Sequence, residues 1–270
     1  MSIDQVPPTA AAPLQTRPLL VVDSVTVRFG GVRALDGISC EVYPGEICGL
    51  IGPNGAGKTT LFNCITRIYG TTGGSITYAG RDIGGIPARR VIAAGIARTF
   101  QNLGLYSGMT VLENVLLGAH HLHRSGFLAT IARPRGTDRE ERRLTEFCYD
   151  VLQRLELGKF ALEYTGSLPF GTLKRVEIAR ALASRPRLLL LDEPAAGLGH
   201  GELAEFSTLI GKIKESFDLT LLLVEHNMGL VMDLCDRLVV LHLGRKLAEG
   251  TPEEIRLDSR VIAAYLGDAE

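Results

Sequence analysis

Gly52-Pro-Asn-Gly-Ala-Gly-Lys-Thr59 decides the fold, and it matches the pattern G-x-x-x-x-G-K-[ST] at every fixed position. The mostly apolar residues before it predict a strand over 46–51, and the residues after it predict a helix from about 58 to 68. A glycine-rich turn between a strand and a helix points successive backbone N–H groups at one anion. The stretch therefore predicts a site for the phosphates of a nucleoside triphosphate.

The side chains of this phosphate loop (residues 52–59) also suit a triphosphate. The Lys58 ammonium can reach the β- and γ-phosphate oxygens, and the Thr59 hydroxyl is a suitable ligand for Mg²⁺. The loop by itself does not distinguish among kinases, GTPases and ATPases. The residues expected to surround the nucleotide here are Gly52, Pro53, Asn54, Gly55, Ala56, Gly57, Lys58, Thr59 and Thr60.

The composition predicts a soluble, cytosolic protein with a sizeable core. The chain has 270 residues, 46% of them hydrophobic, and its formal net charge of -1 offers no general attraction for nucleic acid. No apolar run approaches the roughly 18 residues that a membrane span needs. Five scattered cysteines, never spaced as C-x-x-C, indicate a reducing compartment. Residues 1–17, rich in Pro and Ala, are expected to form a disordered lead-in.

Strand signals dominate the N-terminal part of the chain. β-branched residues predict strands over 19–29 and 38–43, and Gly30-Gly31 and Asp36-Gly37 predict turns. A further short strand is predicted over 75–78. Together these strands indicate an antiparallel β subdomain.

The rest of the chain changes character twice. Over 103–167 the strand signals end and apolar residues recur at helical spacing, which predicts a helical subdomain. After Gly171, helices and strands alternate, which predicts a mostly parallel sheet. The helices are predicted over 172–184, 201–215 and 228–235, and the strands over 187–191, 219–224 and 238–242.

These patterns predict an α/β fold of the P-loop NTPase class. It has a mostly parallel core sheet, an N-terminal antiparallel β subdomain and an inserted helical subdomain. The predicted segments are the lead-in over 1–17, the first part of the core over 18–102, the helical subdomain over 103–171, the second part of the core over 172–250 and a C-terminal helix over 251–270.

Two adjacent acids follow the most apolar strand. Residues 188–191 are all leucine, as expected for a parallel strand buried on both faces, and Asp192 and Glu193 come directly after them. Taken alone, the two acids also fit a helix N-cap. Beside a phosphate loop, Asp192 can hold Mg²⁺ through water, and Glu193 can act as general base on the attacking water, a role that contributes roughly 10²–10⁴-fold.

Two further polar residues suit the same site. His226 follows the strand over 219–224, so it is expected at the same sheet edge as Glu193, where a neutral imidazole can hydrogen-bond the γ-phosphate. Gln101 lies where the core meets the helical part, and its amide can connect Mg²⁺ or the lytic water to a moving subdomain. The alternatives are a solvated loop histidine and an ordinary polar loop residue.

The order of these motifs resembles that of the nucleotide-binding subunits of ABC transporters. The resemblance implies that Phe29 stacks on adenine, that Gln101 is the Q-loop glutamine and that His226 is the switch histidine. It also implies a signature segment (residues 167–172), which begins a helix. The implied fold is the ABC-type P-loop NTPase, and the implied activity is the hydrolysis of ATP to ADP and phosphate.

Within that family the chain looks closest to the larger ATPase subunits of branched-chain amino acid importers. The stretches that carry this resemblance are Phe29-Gly-Gly-Val-Arg-Ala-Leu-Asp-Gly-Ile38, Arg98-Thr-Phe-Gln-Asn102, Glu193-Pro-Ala-Ala-Gly-Leu198, Val224-Glu-His-Asn-Met228 and the ending from Gly250 to Gly267. It implies a peripheral location on the cytoplasmic face of the inner membrane. The implied partners are a sister ATP-binding subunit or a second copy of the chain, two integral membrane permease subunits and, indirectly, a periplasmic solute-binding protein, with no nucleic acid.

Two motifs depart from the family pattern. Where Leu-Ser-Gly-Gly-Gln is usual, the chain has Leu168-Pro-Phe-Gly-Thr172, so the serine is absent and Pro169 has no N–H to donate. The resemblance implies that this segment faces the nucleotide of a second subunit, and the Gly171 and Thr172 amides remain to contact it. A lost hydrogen bond to a charged group is worth roughly 1.5–3 kcal/mol, so we expect a weaker closed dimer or slower hydrolysis. The D-loop (residues 195–199) ends in glycine where aspartate is common.

Two other classes of protein are alternatives at this point. A soluble, non-transport ABC-type regulatory ATPase shares the motifs, but such proteins carry two fused modules or long coiled coils, and the chain shows neither. A P-loop phosphotransferase would need an acceptor pocket and a lid. Since this subunit is not expected to touch the solute, leucine-type amino acids, amides and other small organic solutes all fit the sequence.

Overall fold

The computed structural model describes residues 17–100, 103–122 and 135–266. In chain order, the strands are β1 (Leu20–Phe29), β2 (Val32–Val42), β3 (Ile47–Ile51), β4 (Gly73–Tyr78), β5 (Arg81–Asp82), β6 (Ile96–Arg98), β7 (Leu188–Asp192), β8 (Thr220–Val224), β9 (Arg237–His242) and β10 (Arg245–Gly250). The α-helices are α1 (Lys58–Ile65), α2 (Ala88–Val91), α3 (Val111–Gly118), α4 (Arg135–Arg154), α5 (Phe170–Leu182), α6 (His200–Ser216), α7 (Met228–Leu234), α8 (Pro252–Leu257) and α9 (Ser259–Leu266).

The N-terminal strands form a four-stranded antiparallel sheet in the order β2-β1-β4-β5. The predicted turn at Asp36-Gly37 is wrong, because β2 starts at Val32 and continues through both residues. Opposite Val25 and Val27 of β1, strand β2 contains extra residues, and Gly37 takes a φ of 71°. The glycine therefore accommodates a β-bulge inside the strand and does not end it.

The second sheet has six strands in the order β10-β9-β3-β8-β7-β6, all parallel except β10. Together with the helices, it confirms the predicted fold class. Strands β6 and β10 carry no sequence signal that we recognised, since β6 has three residues and β10 is a charged edge strand. The helix α1 ends at Ile65 and not at 68, because Arg67 adopts a left-handed φ of 62°.

The parallel sheet is covered on both faces. All residues of β3, β7 and β8 are buried, which explains their continuous apolar sequences. Alternate residues of β7 belong to different cores: Leu189 and Leu191 pack in the core that includes the helical part, and Leu188 and Leu190 in the core shared with the antiparallel sheet. This alternation is the ordinary period of a strand.

Three strands of this sheet end at one edge, and the site lies there. Within the register, Val224 of β8 pairs with Asp192 of β7 and with Leu50 of β3. The residues that follow these strands, which include Gly52, Glu193 and His226, therefore emerge side by side. Carboxyl ends of parallel strands are the usual place for ligands in open α/β sheets.

The described residues between the two halves of the core are mainly helical, as the periodicity predicts. Residues Cys148, Val151 and Leu152 of α4 are buried in the core that includes α3 and α5. The C-terminal helix predicted from 251 consists of two helices, because the Asp258 side chain accepts from Arg260 N (2.8 Å) where α9 begins. Within the described ranges, no helix combines the length and the apolar character that crossing a bilayer requires. The segment boundaries stay predictions.

Candidate active site

The phosphate loop is shaped by two glycines that no other residue could replace. Gly52 has a φ of 148°, and a Cβ there would lie 2.1 Å from the Leu241 carbonyl oxygen of β9. Gly57, directly before α1, has a φ of 104°, and its Cβ would lie 2.8 Å from the Ala34 carbonyl oxygen of β2. The loop is thus packed against both sheets, and both close contacts are possible only because glycine has no Cβ.

Lys58 bridges the two ends of this loop. Its Nζ donates to the carbonyl oxygens of Gly52 (2.6 Å) and Pro53 (2.9 Å), and the residue is only 6% exposed. Burial lowers the pKa of the Lys58 ammonium, and the nearby carboxylates of Glu193 and Asp192 act in the opposite direction. The ammonium therefore lies between the loop carbonyls and the acids of β7, where phosphate oxygens would compete for it.

A cavity of about 180 Å³ is lined by predicted residues of the loop and by three residues from other parts of the chain. Glu193 and His226 lie on its wall beside the start of α1. The residues that line it are Ala34, Asn54, Gly55, Ala56, Gly57, Lys58, Thr59, Thr60, Glu193 and His226. The tertiary structure thus brings together four stretches that are separate in sequence.

Glu193 is held in an unusual backbone conformation. It has a φ of 48°, and its N–H donates to the Val224 carbonyl (2.8 Å), so the chain turns sharply where β7 ends. Its Oε1 lies 2.8 Å from His226 Nε2. Non-glycine residues in this region cost of order 1–3 kcal/mol and concentrate at functional sites. The carboxylate is thereby directed at the cavity and paired with the histidine.

Asp192 has a partner that sequence reasoning missed. Arg98, the last residue of β6, places Nη2 2.6 Å from Asp192 Oδ2, and both side chains are buried. Its Nη1 also donates to Asn63 Oδ1 of α1 (2.7 Å). No sequence signal indicated this pair, because β6 has only three residues and its place beside β7 is not a local property of the chain. The pairing compensates the buried charge of Asp192.

Glu225 is a second residue that the sequence did not reveal. The buried carboxylate accepts from Ala195 N through Oε1 (2.7 Å), and from His226 N (2.9 Å) and Asn227 N (3.3 Å) through Oε2. It therefore connects the D-loop to the turn that carries His226. The sequence shows a charged residue directly after an apolar strand, but it does not show which groups the Glu225 side chain contacts.

The signature segment begins a helix two residues earlier than predicted. Helix α5 starts at Phe170, with Pro169 as N-cap and no side-chain hydrogen bond at the cap. Intrahelical bonding starts with Leu173 N, which donates to the Pro169 carbonyl (3.0 Å). Gly171 and Thr172 thus lie in the first turn, where backbone N–H groups lack helical acceptors and the helix end carries partial positive charge.

The remaining predicted residues are placed as follows. Phe29 ends β1, is 47% exposed and contacts Tyr69 edge-on, with ring centroids 5.1 Å apart. This geometry supports the ring without covering both of its faces. Tyr69 was not predicted, although an aromatic residue shortly after α1 was visible. Gln101 lies outside the described residues, so its predicted role stays a prediction.

The C-terminal helix also reaches the phosphate loop. A second cavity, of about 410 Å³, lies between the loop, His226 and the turn after β9, and Tyr265 of α9 lines it. Burial raises the pKa of the Tyr265 hydroxyl, and a hydrogen bond from the Gly52 backbone partly offsets this rise. The last described helix is therefore part of the site's surroundings.

A phosphate loop that enters a mostly parallel sheet at its carboxyl edge, opposite a second strand ending in acids, defines the class of P-loop ATPases. Residues 35–196 match the family model described as ABC transporter. Residues 245–270 match a second model, described as branched-chain amino acid ATP-binding cassette transporter. The chain belongs to the ABC transporter family, as one of its ATP-binding ATPases, which confirms the resemblance read from the motifs.

Individual relatives agree along nearly the whole chain. The high-affinity branched-chain amino acid transport ATP-binding protein BraF of Pseudomonas aeruginosa is 44% identical over 254 residues, covering 94% of this chain and 100% of the relative. The corresponding protein LivG of Escherichia coli K12 is 41% identical with the same coverage. A crystal structure of an ABC transporter ATP-binding cassette in its ADP conformation superposes with a TM-score of 0.82, at 31% identity, covering 93% of this chain and 100% of that one.

Proposed function

We propose that the chain is the ATP-hydrolysing subunit of an ABC importer for branched-chain amino acids or related small organic solutes. The identity to BraF and LivG, which extends over the full length of both relatives, supports this solute class. So does the match of residues 245–270 to a model restricted to branched-chain amino acid cassettes. These similarities do not favour the alternative of a soluble, non-transport regulatory ATPase, since both relatives are named as transport proteins.

The contact between Glu193 Oε1 and His226 Nε2 (2.8 Å) is the observation that carries the proposed hydrolysis. Glu193 acts as general base on the water that attacks the γ-phosphate. His226 orients the Glu193 carboxylate and contacts the same phosphate. Lys58 exchanges its two carbonyl acceptors for β- and γ-phosphate oxygens. The exposed ring of Phe29 stacks on adenine.

The residues near Lys58 fit a bound Mg²⁺. The ion prefers oxygen ligands and is usually held by one or two protein groups together with substrate phosphates. The Thr59 hydroxyl and the Asp192 carboxylate supply such oxygens, and Gln101 is a further proposed ligand. When bound, Mg²⁺ neutralises charge on the phosphate oxygens. Arg98 occupies Asp192 Oδ2, so this pair orients the carboxylate that receives the ion.

In the proposed assembly, two ATP-binding subunits close head-to-tail over two nucleotides. Each site combines the phosphate loop, Asp192, Glu193 and His226 of one subunit with the signature segment of the other. The second subunit is a sister ATP-binding protein or a second copy of the chain. The pair works at the cytoplasmic face of the inner membrane on two permease subunits, with a periplasmic solute-binding protein as indirect partner and no nucleic acid.

Reconstitution tests this proposal. The chain is co-expressed with the permease and binding-protein subunits of a branched-chain amino acid importer, and the purified complex is placed in liposomes that contain ATP. We expect uptake of radiolabelled leucine that requires internal ATP and is abolished by Glu193→Gln. ATP hydrolysis without uptake of leucine, isoleucine or valine, but with uptake of an aliphatic amide, would assign a related solute. Failure of the chain to co-purify with any membrane subunit would contradict the importer proposal.

A further inference from the structure

One face of α5 carries three charged side chains that the hydrolysis chemistry does not use. Lys174, Glu177 and Arg180 are spaced three residues apart, so they lie on one side of the helix. Lys174 and Glu177 are each only 2% exposed. We call these three residues the polar face of α5. Buried charges are costly unless they are paired or hydrogen-bonded, so their contacts matter.

Each residue of the polar face holds the backbone of a different segment. Lys174 Nζ donates to the Glu193 carbonyl (3.4 Å), and Glu177 Oε1 accepts from Phe100 N (2.7 Å). Arg180 donates to the carbonyls of Gly104 (2.6 Å) and Leu103 (3.0 Å). One helix therefore fixes the residue after β7 and the two positions that flank residues 101 and 102 in sequence.

The hydrogen bond between Glu177 and Phe100 N is linked to Asp192 through the side chains of Phe100 and Arg98. The guanidinium of Arg98 lies 5.3 Å from the centroid of the Phe100 ring, and it forms the 2.6 Å pair with Asp192. Fixing Phe100 N thus fixes the ring that stacks on the partner of Asp192. Lys174 in turn lies 5.5 Å from the ring of Phe170, in the signature segment.

From these contacts we infer that Glu177 is a positioning residue, which ties the helix of the signature segment to the carboxylates of its own subunit's site. The inference rests on the proposed function. In the closed dimer the N-terminus of α5 faces the partner subunit's nucleotide, and the polar face of the same helix sets Phe100, Arg98 and the Glu193 backbone. Closure over one nucleotide then orients the hydrolytic groups at the other, which makes hydrolysis cooperative in ATP.

Two substitutions distinguish the positioning role of Glu177 from an effect of its charge or of protein stability. Glu177→Gln keeps an oxygen acceptor for Phe100 N, and Glu177→Ala removes it. We expect the glutamine variant of the full chain to hydrolyse ATP within about twofold of wild type. In the alanine variant, kcat falls about tenfold while the KM for ATP changes less than twofold, because misplaced groups slow chemistry without weakening binding. The Hill coefficient for ATP falls towards 1 in the alanine variant only.

Arg175→Gln is the matched control. Arg175 lies on the same helix, and among the described residues its ion pairs are with the exposed Glu156 (3.6 Å) and Glu205 (3.4 Å). The kcat and Hill coefficient of this variant should therefore match those of wild type. If the Glu177→Ala variant fails to fold, Arg180→Gln is measured instead, and the same loss of kcat at constant KM is expected.

Three results would overturn the inference: equal kcat for the glutamine and alanine variants, a loss of kcat matched by the loss of folded protein in thermal unfolding, or an unchanged Hill coefficient. Glu193→Gln distinguishes this failure from that of the proposed function. If wild type hydrolyses ATP, Glu193→Gln does not and Glu177→Ala behaves as wild type, only the positioning role is wrong. If Glu193→Gln matches wild type, the proposed hydrolytic site itself is wrong.

Discussion

The two halves of the proposed ATP site are built in opposite ways. At the sheet edge, which we call the catalytic edge (residues 192–193 and 225–226), every acid has a partner within the chain: Asp192 pairs with Arg98, Glu193 with His226, and Glu225 accepts three backbone amides. In the signature segment, Pro169 is the N-cap of α5 and makes no side-chain hydrogen bond to the start of the helix. One half is held by internal bonds, and the other offers only its backbone.

The cost of burial explains this difference. A buried carboxylate without partners destabilises the fold by several kcal/mol or becomes protonated, so the catalytic edge must be satisfied with or without ligand. Backbone amides at a solvent-facing helix start are satisfied by water at little cost. The first-turn amides of α5 can therefore stay bound to water until a second subunit meets them.

Removing the Glu193 charge should have the largest effect. We expect Glu193→Gln to lower ATP turnover by roughly 10²–10⁴-fold, because the general base is lost while the hydrogen bond to His226 can persist. Nucleotide binding should be retained, so ATP should drive a stable dimer. Phosphate release and size-exclusion chromatography with ATP measure the two effects. Unchanged turnover would show that Glu193 is not the base.

Filling the phosphate loop should weaken nucleotide binding. In Gly52→Ala the new Cβ meets the Leu241 carbonyl oxygen at 2.1 Å, so the loop must move away from β9. Gly55→Ala is the control, since a Cβ there meets nothing within 4 Å and only the φ of 75° is strained, at roughly 1–2 kcal/mol. Thermal unfolding and binding of a fluorescent ATP analogue compare the two variants. Equal effects would mean that contact with β9 does not shape the loop.

Removing the Glu225 carboxylate should loosen the catalytic edge. Glu225→Ala leaves buried amides of Ala195 and His226 unpaired, which costs about 1–3 kcal/mol for each group. We also expect turnover to fall about tenfold, since the His226 backbone is no longer fixed. Glu225→Gln retains one acceptor and should fall in between. Denaturant unfolding and phosphate release are the measurements, and full activity of the alanine variant would contradict a positioning role.

Giving the signature segment a hydroxyl at position 169 should have the smallest effect of the four changes. Pro169→Ser supplies an N-cap hydroxyl, which stabilises a helix by about 1 kcal/mol. If the hydroxyl also reaches the partner subunit's nucleotide, the ATP-dependent dimer should tighten about tenfold. Dimerisation is measured in the Glu193→Gln background, where ATP is not consumed. A more stable helix with unchanged dimer affinity would mean that backbone amides alone serve this half.

Much of this comparison could be predicted from sequence. The phosphate loop, the strand before Asp192 and the strand before His226 are short stretches whose composition predicts both their secondary structure and their place at one sheet edge. Local patterns failed where long-range packing decides, as at Asp36-Gly37, which a bulge holds inside β2. Strand β10 is likewise formed by its pairing with β9 and not by its own charged sequence.

The partners of the acids were beyond sequence reasoning. Arg98 and Asp192 lie 94 positions apart, and Ala195 and Glu225 lie 30 apart, yet each pair is in hydrogen-bond contact. Which side chain pairs with which carboxylate depends on strand order, and strand order is not a local property of the chain. The same holds for Glu177 in α5 and Phe100, which follows β6. Phe100 N donates to Glu177 Oε1 (2.7 Å) although the two residues are far apart in sequence.

Residue types at short, fixed spacing were enough to predict the family and the phosphate loop, and they suggested the hydrolytic side chains that we propose. Only the tertiary structure decided how those side chains are held: Asp192 by Arg98, Glu193 by His226 and a left-handed backbone, and the D-loop by Glu225. The physical reason is that buried charge must be compensated in three dimensions. The groups that compensate it come from whichever strands and helices the fold places nearby.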